Sequence, residues 1–169
     1  MSMDPRKNVE AKMTIKETDL TDAIAQWGRE LIAISTTYEE KGIEQATSIA
    51  SEMLDRIYGF EFGPILFKPT LSGGEQTFRT TKQGALSYFV GHDPNYPADT
   101  GFGIKFWREV KSETSAIMIE DTVAMWMGWV IFTDKERNMV KVDKSFCFRR
   151  SLSGELKIVL HHSSLPYEA

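Results

Sequence analysis

Apolar residues at Leu20, Ile24, Trp27, Leu31 and Ile34 recur at the alternating three- and four-residue spacing of one helical face. Such a stripe predicts an amphipathic helix with one side turned to a core. A second stripe, Ile43, Ala46, Ala50, Met53, Leu54 and Ile57, predicts another helix, with Gly59 placed to end it in a left-handed conformation. Two helices that each carry an apolar face need a surface to cover.

The remaining chain supplies that surface. Residues 65–70 and 76–79 read as short strands around the Ser72-Gly73-Gly74 turn, and residues 81–90 as a third, short helix. Residues 91–101, with Pro94 and Pro97, read as a loop, and His92 within it as a solvated loop residue. Beyond this point the period becomes two. Phe102, Ile104, Phe106 and Val110 share one face of a strand, and residues 116–119, 123–132, 140–148 and 156–160 form four more, with polar turns at 134–138 and 151–154. The run 123–132 is apolar on both faces, which calls for helices on one side and a partner subunit on the other. Helices first and a curved antiparallel sheet afterwards define an α+β domain with the helices on one face. A single domain over residues 14–169 accounts for the pattern, preceded by a polar segment, 1–13, expected to be a flexible leader.

A 169-residue chain buries roughly two-thirds of its unfolded surface, enough for one core without covalent staples. Its 24 acidic and 20 basic residues give a net charge of −4, with no block of like charge to track phosphates, so nucleic acid is not an expected partner. Cys147 is the only cysteine; it excludes an internal disulfide and a thiolate metal cluster within one chain, and is expected to be a buried thiol. No apolar run is long enough for a bilayer, so neither a membrane nor an export signal is expected and the location is expected to be cytoplasmic.

The chemistry concentrates at the end of the last strand, where Leu156-Lys157-Ile158-Val159-Leu160 gives way to His161-His162-Ser163-Ser164. In a regular strand His162 and Ser164 share the face of Ile158 and Leu160, while His161 and Ser163 share that of Lys157 and Val159. A bulge would exchange the two pairs, and the histidines could instead simply cap a sheet edge. Arg108 interrupts the apolar parity of Phe102, Ile104 and Phe106, so it either pairs with a carboxylate at the rim or faces a bound anion. Thr70 and Tyr88 offer hydroxyls that could reach a pocket under the sheet, although Thr70 could equally cap a turn and Tyr88 fill the core. Histidine or cysteine ligands at metal-binding spacing are lacking, and Ser72-Gly73-Gly74 is not followed by the residues of a phosphate loop.

The two N-terminal helices, Phe67-Lys68-Pro69-Thr70, Gly84-Ala85-Leu86-Ser87-Tyr88-Phe89, Gly103-Ile104-Lys105 and the closing Leu160-His161-His162-Ser163-Ser164-Leu165-Pro166 together resemble the iota-class carbonic anhydrases. That family belongs to the NTF2-like, cone-shaped superfamily, which also includes the association domain of calcium/calmodulin-dependent kinase. The resemblance implies reversible hydration of carbon dioxide to bicarbonate. The family has metal-dependent and metal-free members, and the scarcity of ligands favours the metal-free kind, with no cofactor. Carried over by the resemblance, the bicarbonate pocket falls on Thr70, Tyr88 and a tail serine: Ser163 with His161 on its face, or Ser164 with His162. Thr70, Tyr88, His161 and Ser163 are the expected catalytic set, with Ser164 and Arg108 as further substrate contacts, and a homodimer is the assembly the resemblance implies. Two rival readings come from other classes: a noncatalytic association module, and a pocket for a larger hydrophobic molecule, which would need an acidic base that the sequence does not identify.

Overall fold

A computed structural model describes residues 14–169; the expected leader, 1–13, lies outside the described residues. Helix α1 spans Glu17–Lys41, longer at both ends than its apolar stripe. It buries Leu20, Ile24, Trp27, Leu31 and Ile34, and its start is held by the Lys16 N–H donating to Asp19 Oδ2 at 3.0 Å. Helix α2, Ile43–Ile57, buries Ala46, Ala50, Met53, Leu54 and Ile57. The α2 helix ends differently from the expected left-handed glycine. Tyr58 is already extended, and Gly59 has φ −88°. Gly59 answers instead to close packing, since a Cβ there would lie 2.7 Å from the Phe62 ring.

Helix α3, Lys82–Val90, is capped by the Thr81 hydroxyl, which accepts from the Gly84 N–H. The five strands are β1 (Leu66–Lys68), β2 (Trp107–Glu120), β3 (Val123–Asp134), β4 (Met139–Arg150) and β5 (Leu156–Ser164). They form one sheet in the order β1-β5-β4-β3-β2. β2 to β5 make the expected antiparallel meander, but β1 joins β5 in parallel, so the sheet is mixed at one edge. Residues 76–79 do not form a strand: Gly74–Gln76 is a single tight helical turn, and only the bonds from Ile65 N–H to Thr80 O and from Arg79 N–H to Phe67 O tie the segment back. Phe102–Ile104 is likewise a helical turn rather than the start of a strand. Gly103 lets it pass against α3, where a Cβ would sit 2.8 Å from the Phe89 carbonyl. The strands expected near 102–110 and at 116–119 are replaced by one continuous β2 with irregularities between Trp107 and Glu109 and between Thr114 and Ala116.

The three helices cover one face of the sheet. Against it pack Ala124, Trp126, Val130 and Phe132 from β3, Val142, Phe146 and Phe148 from β4 and Ile158 from β5, all at most 2 % exposed. Burial of this aromatic-rich set is the main stabilising term of the fold. The opposite face leaves Met118, Met125 and Met127 exposed. Cys147 is half-buried rather than buried and lines that outer face with Leu160.

Candidate active site

The face that β5 turns to the helices is decided by one irregularity. Cys147 is opposite Leu160, but the next residue, Phe148, is opposite Ile158, so Val159 is an extra residue in the ladder. A bulge of this kind changes which side chains share a face. The core face of Ile158 therefore continues through His161 and Ser163, at 1 % and 0 % exposure. His162 is exposed, and half-buried Ser164 lies 3.3 Å from its Nε2. Of the two pairs left open by parity, His161 with Ser163 points inward.

Around Ser163 the structure gathers two of the sequence-predicted hydroxyls. Ser163 Oγ lies 2.6 Å from Thr70 Oγ1, because β1 runs parallel beside β5 with Phe67 opposite His161 and Lys68 opposite His162, and the chain then turns over the strand end. Tyr88 reaches the same place from α3. Its hydroxyl oxygen accepts from the Leu71 N–H at 3.4 Å and meets the Thr70 side chain. Burial pushes the Tyr88 phenol up, so it remains a hydrogen-bond donor at neutral pH. Lys68, half-buried, donates to the Ser163 carbonyl at 2.8 Å.

His161 sits at the bottom of this cluster, stacked on Phe67 with ring centroids 4.6 Å apart and tilted against Phe146 at 4.5 Å. Nδ1 of its ring is 2.9 Å from Tyr58 Oη, and Trp27 Nε1–H donates to the same oxygen at 3.0 Å. Tyr58 is brought there by the end of α2, which pairs with Ile158 through a single bridge. The other ring nitrogen, Nε2, is 2.8 Å from Lys144 Nζ. Lys144 is 3 % exposed and surrounded by aromatic rings, its amine 4.8 Å from the centroid of Trp27 and 5.7 Å from that of Phe132. Burial lowers its pKa to about 7. Burial first, then the lysine charge, holds the His161 imidazole well below its ordinary value, so it is neutral in the physiological range.

Lys144, Tyr58 and Trp27 are site neighbours that the sequence reading did not select. Lys144 carried a signal, for it occupies the same strand parity as Val142, Phe146 and Phe148, where a charge is out of place. Tyr58 carried none, because it follows the last residue of a helical stripe. Of the two outcomes open for Arg108, the structure shows the ion pair: it pairs with Glu39 at the exposed rim and caps the carbonyls of Phe106 and Trp107, and it is not among the side chains that meet at the hydroxyl cluster. Phe106 has φ +59°, and that local reversal breaks the parity on which Arg108 was placed inward. His92 is exposed in its loop, as expected, and its Nδ1 contacts the Val90 carbonyl.

Thr70 and Tyr88 lie on separate segments, and a buried ion pair locks those segments together. Arg79 makes a bidentate bond with Asp99, at 2.6 and 2.8 Å, and also donates to the Gly84 carbonyl at the start of α3. Ser87, the neighbour of Tyr88, donates to the same carboxylate at 2.6 Å. Among the described residues no group of three or more His, Cys, Asp or Glu side chains is placed to hold a metal ion. The site is an array of hydroxyls, two amines and one imidazole inside aromatic walls, suited to hydrogen-bonding a small oxygen-rich species in a water-poor setting.

Comparison with known proteins points the same way. The family model for metal-independent carbonic anhydrase matches residues 18–165. A metal-independent carbonic anhydrase of Nostoc sp. is 48 % identical over 154 residues, covering 91 % of this chain and 75 % of that protein. A crystal structure of the iota-carbonic anhydrase from a cyanobacterium, complexed with bicarbonate, superposes with a TM-score of 0.92 at 47 % identity, over 93 % of this chain and 96 % of that one. An NTF2-like superfamily protein of Salmonella enterica shares the fold at a TM-score of 0.51 and 9 % identity, over 97 % of this chain and 95 % of that one.

Proposed function

The chain belongs to the metal-independent carbonic anhydrases, NTF2-like enzymes that interconvert carbon dioxide and bicarbonate, and on that premise we propose that the reaction runs at the cluster of Thr70, Ser163 and Tyr88. The observation that carries this reading is the 2.6 Å contact between the Thr70 and Ser163 hydroxyls, both at most 8 % exposed, beside the protonated phenol of Tyr88. Hydroxyls can donate to a developing oxyanion or accept from a water, and can exchange those roles by rotating. Three of them converging from the turn after β1, from β5 and from α3 can hold the water that attacks carbon dioxide and then the three oxygens of bicarbonate. Phe67, Phe89 and Phe102 around them supply apolar walls for carbon dioxide itself. His161 stands behind Ser163 on the same face, as a neutral hydrogen-bonding partner of the site. Ser164 stands on the other side of the strand and has no part in this arrangement.

Stopped-flow hydration of carbon dioxide by chelator-treated protein tests the reading. Ser163→Ala and Tyr88→Phe should each lower kcat/KM by about 10²-fold, the range for loss of one preorganised donor, with circular dichroism unchanged. Wild-type rates in both variants would remove the cluster from the mechanism. We also infer that two copies associate through the outer face of the sheet, where Met118, Met125 and Met127 are exposed.

A further inference from the structure

Hydration of carbon dioxide releases one proton for each bicarbonate formed, and the three hydroxyls cannot hold it, because a neutral alcohol or phenol is a far weaker base than an amine or imidazole. Two amines stand near them: Lys68, half-buried and engaged with the Ser163 carbonyl at 2.8 Å, and Lys144, fully buried beside His161. On the β4–β5 ladder Lys144 is directly opposite Ser163, and opposed residues put their Cβ atoms on the same face about 5 Å apart. Lys144 and Ser163 are thus buried on the same face of the sheet, at 3 % and 0 % exposure, with His161 touching the Lys144 amine. Among the described residues its one hydrogen-bonding partner is His161 Nε2, at 2.8 Å, and no carboxylate forms an ion pair with it.

We propose that Lys144 is the proton acceptor of the hydration step, its free amine taking the proton that water loses as the water oxygen bonds to the carbon of carbon dioxide. The proposal rests on the hydroxyl cluster being the place of reaction. In that step the new C–O bond forms, one C=O π pair moves onto oxygen, a water O–H bond breaks and its proton joins the lone pair of Nζ. Neutral carbon dioxide, water and amine become bicarbonate and an ammonium. The two charges appear together, so neither is left alone in a low-dielectric site. After bicarbonate departs, the ammonium passes its proton to a buffer base and the amine is restored.

His161 makes the cycle workable as a positioning residue. In the proposed arrangement Nε2 accepts an N–H of Nζ in both protonation states of the lysine, which puts the ring proton on Nδ1, 2.9 Å from Tyr58 Oη. The imidazole therefore holds Nζ in place while the amine gains and loses a proton. Other ionisable groups act on it from each side. Lys68 from β1 disfavours the ammonium and Asp143 from β4 favours it, while Tyr58 and Tyr88 stay protonated because burial pushes both phenols up. Burial outweighs these charges and leaves the amine at about 7, so an appreciable fraction is free base at neutral pH.

The test combines kinetics with a direct titration. Protein labelled with ¹³C at lysine Cε is titrated by NMR, and kcat/KM for hydration is measured between pH 6 and 9 for wild type, Lys144→Met, Lys144→Arg, His161→Leu and Ser163→Ala. The expected wild-type profile rises with pH through a midpoint that coincides with the Lys144 resonance. Lys144→Met and Lys144→Arg should each lose about 100-fold or more in kcat/KM and lose that inflection. His161→Leu should move the midpoint to lower pH, because an acceptor for the ammonium is gone, a change that mere loss of stability would not produce. If Ser163→Ala is impaired while Lys144→Met keeps wild-type rate and inflection, the cluster stands and the role of Lys144 is overturned. If Ser163→Ala is also unimpaired, the site reading falls and this proposal with it. Should the Lys144 variants fail to fold, a Lys144 resonance titrating near 10 in the wild type overturns the proposal by itself, and one titrating with the kinetic midpoint supports it.

Discussion

Lys144 shows what a functional side chain costs the fold that holds it. Its ordinary pKa is 10.5 and burial lowers this to about 7, so between those values the unfolded chain binds a proton that the folded chain does not. Stability therefore rises with pH across that window, and the penalty for burying the lysine is complete below pH 7 and vanishes above about 10.5. At roughly 1.4 kcal/mol per pK unit the penalty approaches about 5 kcal/mol, from which an unpaired His161 Nε2 would subtract about 1–3 kcal/mol on removal of the amine. Lys144→Met is expected to be more stable than wild type by about 2 kcal/mol at pH 6, with the gain gone by pH 10. Urea unfolding at several pH values measures this, and a difference independent of pH would contradict it. The same residue shows the limits of reading parity. Arg108 and Lys144 are both charges on apolar parities, but β4 is regular around Lys144, whereas Phe106 reverses the chain just before Arg108. One charge is consequently buried and the other reaches the surface, a distinction that resides in backbone conformation and not in residue type.

At the level of elements, long periodic segments were legible and short ones were not. Both long helices follow their stripes, since many burial terms of one sign agree along 25 and 15 residues. The three-residue β1 is too short to show a period, and its parallel pairing with β5 depends on a neighbour about 95 residues away in sequence. The inward pair on β5 could be narrowed but not chosen, because one inserted residue at Val159 inverts every later side chain. What joins the site's segments is the buried Arg79–Asp99 pair, whose side chains are 2 % and 5 % exposed. Asp99→Asn would leave the guanidinium buried without its carboxylate, and breaking one side of such a pair costs about 3–5 kcal/mol. We expect a loss of about 3 kcal/mol in urea unfolding. A fall in kcat/KM should accompany it, because Thr70 and Tyr88 are no longer held to one geometry. A change below about 1 kcal/mol would show that the pair does not lock the segments.

The whole molecule separates its proposed chemistry from the sheet face at which we infer association. Every residue of the proposed site lies between the helices and the covered face of the sheet, and all come from one chain. The opposite face presents Met118, Met125 and Met127 at 37–59 % exposure, around a groove of about 430 Å³ that Ala116, Cys147 and Leu160 also line. Flexible, uncharged methionines over an open sheet face are suited to a self-complementary contact across a two-fold axis, which is the basis of the dimer inferred above. Sedimentation velocity should then give twice the 19.2 kDa chain mass for wild type. Met127→Glu places a charge of like sign on both sides of that axis, where its desolvation and repulsion oppose assembly, and should yield monomer. Because the cluster of Thr70, Ser163 and Tyr88 is on the other side of the sheet, the monomer should retain kcat/KM within about twofold, as expected when a distant site is not coupled to the change. A wild type that sediments as monomer would overturn the dimer. A monomeric Met127→Glu protein with its hydration rate largely lost would show instead that the covered face depends on its partner for shape, through the β3 and β4 strands that both faces share.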